Sequence, residues 1–284
     1  MSKPPSYSSA GSYFKSIEEY IAVFKKYGDP GERYIRSTYP RMCLTKRMAL
    51  EGMSDARNLR LLDIGAHWLH NSLLYAIEGI SVTAAELSGN GTVPVNPVVS
   101  GIAEEFGIEL VSYKELSNPV ELNGLPAGSF DLILFTEVLE HITFNPVHMW
   151  EALHRLLDSN GKIILTTPNY HFASSIAREL IRQLAGRSSG IPVEQIIGLH
   201  TYGHHWKLFS AKDIKKYFQL LSPDFSVEKV RYFNYEPSNK PSLLKKIKKV
   251  VEKNIKYFRE ALYVEIRLKG KNNGIVAKPA WFMN

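Results

Sequence analysis

The feature that most constrains this chain is an apolar run closed by Asp63-Ile64-Gly65, then a helical pattern, then a second β-branched run that ends on an acid, Glu86. Arg57 to Ala66 (RNLRLLDIGA) reads as a strand that runs into a tight turn. The stretch HWLHNSLLYAIEG has helical apolar spacing and a terminal Gly79, and Ile80 to Leu87 (ISVTAAEL) reads as the next strand. A strand, a glycine turn, a helix and an acid about 20 residues further on is the arrangement that grips a nucleoside. Gly65 lets the backbone approach a ligand, the helix expected to start near His67 offers free N–H groups to a carboxylate, and Glu86 can accept both ribose hydroxyl hydrogens. A dinucleotide would want two further glycines to admit its pyrophosphate. Here Ala66-His67-Trp68-Leu69 follows Gly65, and that crowded turn disfavours NAD.

The rest of the chain repeats the alternation. Ile108 to Ser112 and Phe130 to Phe135 (FDLILF) read as strands, the second introduced by Pro126-Ala-Gly-Ser. His148 to Leu157 reads as a helix, Asn160-Gly161 as a turn, and Lys162 to Thr167 (KIILTT) as a strand ended by Pro168-Asn169. Strands and helices alternating in this way imply right-handed crossovers. The expected fold is therefore α/β, a Rossmann-like doubly wound, mostly parallel sheet. Helical inserts follow the fifth strand (171–209) and lie near the C-terminus (237–260). We expect a flexible segment over 1–12, an N-terminal helical cap over 13–56 with a helix from Tyr13 to Tyr27, and one catalytic domain over 57–284. Phe172 to Ala185, in the first insert, and Ala211 to Leu221, after it, read as helices, and Phe225 to Tyr232 and Leu262 to Lys269 as strands. A short helix is expected around Ile102 to Phe106.

LLDIGA, AAEL, SFDLILFTEVLEHI and RLLDSNGKIILTTPNY stand in that order between Arg57 and Tyr170. Together they resemble the successive motifs of class I S-adenosylmethionine-dependent methyltransferases, especially bacterial enzymes similar to those acting on sugars, lipids and quinones. The resemblance implies S-adenosylmethionine as cofactor. By position it implies Asp63, Gly65 and Ala66 at the methionine end, Glu86 on the ribose, and Thr136 and Glu137 beside the cofactor. The adenine-contacting region falls on Tyr113 to Leu116, and Glu115 is the polar candidate there.

Methyl transfer from a sulfonium is an in-line displacement, so the protein supplies alignment, a dry site and, for a hydroxyl acceptor, a base. Glu140-His141 follows the fourth strand at the carboxyl edge, where open α/β sheets bind ligands, which makes His141 the first base candidate. A structural role for that pair is an equal alternative. The loop HTYGHHW adds His200, Tyr202, His204, His205 and Trp206 before Phe209-Ser210, which should cap the next helix. Such a loop resembles the lid over an acceptor pocket, and His204 or His205 is the second base candidate. Three imidazoles lie close there, yet no acid or cysteine sits among them, so the expectation is no metal.

Charge and composition bear on partners. The chain carries a formal +7 at pH 7, and KPSLLKKIKKVVEKNIKYFR, from Lys240 to Arg259, concentrates much of it. That segment and SIARELIRQLAGR are basic and amphipathic, of the kind that lies on anionic membranes, which makes 242–258 a candidate peripheral contact. Packing on the domain, with the lysines simply solvated, is the favoured reading. No apolar run approaches the ~20 residues needed to span a bilayer and the opening is polar, so we expect a cytoplasmic protein, at most peripheral to the membrane. A lone cysteine, Cys43, agrees with a reducing compartment. The expected acceptor is a small molecule or glycan, a saccharide hydroxyl that is free, nucleotide-linked or lipid-linked. No nucleic-acid-binding module or Asn-Pro-Pro-aromatic motif is found, so no nucleic-acid partner is expected. A non-catalytic module of the same fold, binding a membrane or a partner, is the rival from another class.

Overall fold

The computed structural model describes residues 16–28, 31–53, 58–88, 96–186, 190–191, 193–234 and 255–279. Its sheet has seven strands in the order β3-β2-β1-β4-β5-β7-β6, built from β1 (Arg60–Ile64), β2 (Ser81–Leu87), β3 (Glu109–Tyr113), β4 (Phe130–Thr136), β5 (Leu157–Pro168), β6 (Phe225–Phe233) and β7 (Ala261–Leu268). The chain divides into two compact units, Met1–Leu134 with Val147–Ile163, and Phe135–Pro146 with Ile164–Asn284.

In the first unit β1 pairs in parallel with β2 on one side (Leu62↔Thr83) and β4 on the other (Leu62↔Ile133), and β2 pairs in parallel with β3 (Glu86↔Ser112). The order therefore reverses about β1, the topology that opens a crevice at the carboxyl ends of the strands. Leu61, Leu62, Ile64, Ala84, Ala85, Leu132, Ile133 and Leu134 are all fully buried. These near-continuous apolar runs are what a strand covered on both faces requires.

The helices of this unit are α1 (Ile17–Lys26), α2 (Glu32–Ala49), α3 (His70–Ala76), α4 (Pro97–Phe106) and α5 (Val147–Leu156). Helix α1 is capped by Ser16, whose hydroxyl takes the Glu19 N–H, and it buries Tyr20, Ile21 and Phe24, three of the residues its spacing marks. Residues 13–15 of the expected helix lie outside the described ones, as do 1–12. Helix α4 begins earlier than the apolar pattern suggests, because Asn96 accepts the Val98 N–H and Pro97 fits the first turn. Helix α3 begins three residues later than expected, since His67 and Leu69 take left-handed backbone conformations. The expected turn at Asn160-Gly161 is absent. Strand β5 starts directly after α5, and the Asp158 carboxylate accepts the Asn160 N–H at 2.9 Å, an Asx contact made within the strand. Helix α2, with Pro40 inside it, lies within the helical cap expected over 13–56, where the sequence reading gives a separate helix only to Tyr13–Tyr27.

In the second unit β6 and β7 form an antiparallel pair from Phe225↔Leu268 to Phe233↔Ala261, with a bulge at Val227/Lys229. Helix α6 is Ala173–Leu184, α7 is Val193–Gly198 and α8 is Ala211–Leu221. Ser210 caps α8 as expected and does so reciprocally with Asp213, a capping box. Helix α8 buries Ile214, Phe218 and Leu221, and Phe218 meets Phe225 edge to face at 5.4 Å. By contrast Leu184 of α6 and Ile197 of α7 are 89% and 82% exposed. Most of the basic segment, 235–254, lies outside the described residues, and Lys256–Phe258 form a short 3-10 turn. Among the described residues no helix is long and apolar enough to cross a membrane.

Candidate active site

The turn after β1 is built around Gly65 at φ 72, a conformation glycine adopts without cost. The N–H groups of Gly65 and Ala66 both donate to the Ala85 carbonyl, at 2.9 and 3.3 Å, and tie the turn to β2. His67 then enters the left-handed region, and its N–H donates to Glu86 Oε2 at 2.6 Å, while Leu87 N–H donates to Oε1 at 2.9 Å. Glu86 is buried at the carboxyl end of β2. Asp63, also buried, accepts a hydrogen bond from the Ser72 hydroxyl on α3 at 2.7 Å. Burial pushes the Asp63 carboxyl up to about 7, and the nearby Glu86 charge adds to that against the opposing Ser72 hydrogen bond.

These residues suit a ligand with a cationic end and a diol. Two buried carboxylates flank a left-handed turn, and among the described residues neither forms a salt bridge. Buried charges are normally paired, so a cation placed there would be stabilised. Each carboxylate oxygen also has a second lone-pair site with which to accept a hydroxyl. Asp63, Gly65, Ala66 and Glu86 thus lie together around one turn. The N–H groups of a helix beginning at His67 do not take part, since α3 starts at His70 and the His67 N–H is given to Glu86. Glu115 is exposed just past β3, between the buried Tyr113 and Leu116.

The second unit gathers another set. Glu137 sits at φ 56, a strained conformation for a non-glycine residue that costs ~1–3 kcal/mol and recurs at functional sites. Its N–H donates to the Thr166 carbonyl at 2.8 Å, and the Thr166 hydroxyl donates to its Oε1 at 2.9 Å. The same device recurs one residue on in β5, where the Thr167 hydroxyl donates to Oε2 of the fully buried Glu140 at 2.9 Å. Thr136 is half-buried at the end of β4.

His141 Nδ1 lies 2.9 Å from the His204 carbonyl, which fixes Nδ1 as the protonated nitrogen and leaves the lone pair on Nε2. The His141 and His205 rings meet edge to face at 4.8 Å. Burial lowers both imidazoles below their ordinary value; for His141 the His205 charge adds to this, against the His204 and Tyr202 carbonyls and Glu137, and for His205 Glu137 opposes. Of the two loop histidines, His205 therefore joins His141. His204 is buried, its ring 5.2 Å from Trp206, and it meets His141 through its main chain. Glu140, His141 and His205 each present one potential ligand atom, all within 4.8 Å of one another. The acid absent from the loop HTYGHHW is thus supplied by the segment after β4. Ser72, Thr166 and Thr167 hold the three carboxylates and were missed as site residues; the Thr-Thr pair in KIILTT was legible only as strand.

Residues 33–221 match a family described as a methyltransferase domain. Among curated proteins no match was found. Solved structures share the fold. A Pyrococcus horikoshii OT3 protein superposes with a TM-score of 0.50 at 15% identity, covering 88% of this chain and 99% of that one. An S-adenosylmethionine-dependent methyltransferase from Mesorhizobium loti does so with a TM-score of 0.51 at 13% identity, over 81% and 97%. A chain from the Haloferax volcanii complex of the Trm112 methyltransferase activator reaches 0.53 at 12% identity, over 87% and 97%.

Proposed function

This chain belongs to the methyltransferase-domain family, and on that premise we propose that it moves the methyl group of S-adenosylmethionine onto a saccharide or glycan hydroxyl, free, nucleotide-linked or lipid-linked. The observation that carries the reading is the cradle of Asp63, Gly65 and Glu86: two buried carboxylates without a salt bridge among the described residues, around a left-handed turn. Asp63 and the Gly65-Ala66 turn hold the amino-acid end, and Glu86 accepts the ribose hydroxyls. The exposed Glu115 is assigned to the adenosine end, and Thr136 and Glu137 to the cofactor's neighbourhood. S-adenosylmethionine, when bound, supplies an electrophilic methyl group on a sulfonium. The protein's share is to align an acceptor oxygen and take its proton, for which the His141–His205 pair is suited because His141 keeps its Nε2 lone pair.

A lipid-linked acceptor accords with the exposed apolar side chains of α6 and α7 and with the lysine-rich sequence from Lys240 to Lys256. The protein would then work at the face of an anionic membrane. Calorimetry with S-adenosylmethionine, followed by a screen of sugar nucleotides and lipid-linked sugars with radiolabelled cofactor, tests the assignment. Binding with label transferred to a saccharide supports it. Absence of binding makes the chain a non-catalytic module, and transfer to other acceptors alone removes the saccharide.

A further inference from the structure

We propose that Glu140, His141 and His205 form a binding site for a divalent transition-metal ion, with zinc as its representative occupant. Two imidazoles and one carboxylate are the donor set that such ions prefer, whereas calcium and magnesium ask for oxygen alone. The three potential ligand atoms lie within 4.8 Å of one another, with His141 Nε2 4.0 Å from Glu140 Oε1. Ligands around a tetrahedral ion with bonds of about 2.1 Å stand roughly 3.4 Å apart, so side-chain rotation drawing these atoms together by up to about 1.4 Å completes the shell.

The groups around the three ligands match what a metal site needs. A ligating histidine ordinarily gives its other N–H to a carbonyl or carboxylate, which fixes the tautomer and aims the free nitrogen. His141 does this with the His204 carbonyl at 2.9 Å. A ligating carboxylate is ordinarily held by a second hydrogen bond, and the Thr167 hydroxyl holds Glu140 through Oε2, on the side away from the Oε1 that faces His141. Glu140 is fully buried, His141 half-buried and His205 exposed, so the set runs from the core to the surface and is open to solvent at one end. Three protein ligands leave a coordination position for an outside oxygen, the pattern of catalytic rather than structural zinc.

This rests on the reading of a hydroxyl acceptor and deepens it. An ion there binds the acceptor oxygen and raises its acidity, as bound zinc lowers the pKa of water to about 7. The O–H bond then breaks with its proton passing to solvent; with the ion bound the imidazole lone pairs ligate the metal, and this activation of the acceptor replaces the base role of the ion-free pair.

The test uses the full chain, stripped with a chelator and titrated calorimetrically with zinc chloride alone, no cofactor present. One ion per chain is expected. His141→Ala and His205→Ala should each weaken binding by at least about 100-fold and Glu140→Gln by at least about 10-fold, since even outer partners of a metal ligand are worth 10–100-fold. His200→Ala, in the same loop but outside the set, should bind as the parent does. Far-UV circular dichroism checks that each variant folds. Where one does not, cobalt(II) added to the unmodified chain decides, since a nitrogen-ligated open site gives an intense visible spectrum. No binding by the unmodified chain, no cobalt spectrum, or binding that persists unchanged in all three variants overturns the site. Cofactor titration with chelator present keeps the two readings apart: cofactor binding without zinc binding removes the ion, and zinc binding without cofactor binding removes the transferase.

Discussion

The main-chain N–H of His67 meets Glu86 Oε2 at 2.6 Å, so the residue proposed to hold the ribose also holds the turn in front of it. A hydrogen bond to a charged, buried group is worth ~1.5–3 kcal/mol, and its loss leaves the N–H of a strained residue without its acceptor. Glu86→Ala should weaken S-adenosylmethionine by about 10–100-fold and also lower the unfolding free energy by ~1–3 kcal/mol. Glu86→Gln keeps an acceptor for the N–H and should recover most of the stability and little of the affinity. Calorimetry and urea unfolding of both variants check this; equal affinity in all three proteins would remove Glu86 from the cofactor site.

Asp63 gives the stability a pH dependence of definite sign. Its folded-state carboxyl is raised from the ordinary 3.8 to about 7, so between those values the folded protein binds the extra proton. The stability it contributes is fully present below about pH 4 and is lost as pH rises to about 7, up to ~4 kcal/mol at ~1.4 kcal/mol per unit. A cation bound beside it reverses the demand, because the ionised form is then the favoured one. Cofactor affinity should therefore rise from pH 6 to pH 8, and Asp63→Asn should flatten both curves. Unfolding and binding measured across that range decide, and a wild-type affinity that does not move with pH contradicts the role.

Much of this was legible in the sequence for a physical reason. The buried strands β1, β2 and β4 are apolar runs with local signals at their ends, and each falls within a few residues of its expected place. Helix α2 escaped because Pro40 lies in its middle, where proline ordinarily breaks a helix. The turn at Asn160-Gly161 was a correct local preference that strand pairing overrode. The cradle of Asp63, Gly65 and Glu86 could be found because it is local to one strand-turn-strand passage. His141 and His205 could each be found as base candidates, but their meeting with Glu140 in one set could not, since His141 and the His204 carbonyl that holds it stand 63 residues apart and nothing in either stretch announces the other. The loop alone argued against a metal, and only tertiary structure brings the acid to it.

The Thr167 hydroxyl donates to the buried Glu140 carboxylate at 2.9 Å. A fully buried carboxylate whose hydroxyl donor is removed keeps its desolvation cost and loses a charge-assisted bond. Thr167→Val, nearly isosteric, should cost ~1.5–3 kcal/mol in urea unfolding, whereas Thr167→Ser should cost under ~1 kcal/mol. Equal losses in the two variants would point to packing of the methyl group instead.

Exposed Leu180, Ile181 and Leu184 on α6 and Ile196 and Ile197 on α7 should make the protein sediment with anionic liposomes at low salt. Paired changes Ile181→Glu and Leu184→Glu should abolish this without altering cofactor affinity, and binding should fall as salt rises. Recovery of the parent protein in the supernatant at low salt would remove the membrane and leave a freely diffusing acceptor.

His141, His204 and His205 should separate into two kinds. His141 and His205 face each other, while the His204 ring is buried against Trp206 and reaches His141 only through its carbonyl. Side-chain removal at His141 or His205 should lower turnover by ~100–10,000-fold with cofactor affinity unchanged, the signature of a group that acts on the acceptor. Removal at His204 leaves that carbonyl in place and takes a buried ring from under Trp206, so His204→Ala should instead cost ~1–3 kcal/mol of stability with a smaller effect on turnover at low temperature. Single-turnover rates beside unfolding curves tell the two apart. If His204→Ala retained full stability and lost turnover as the others do, its ring rather than its carbonyl would be the working part.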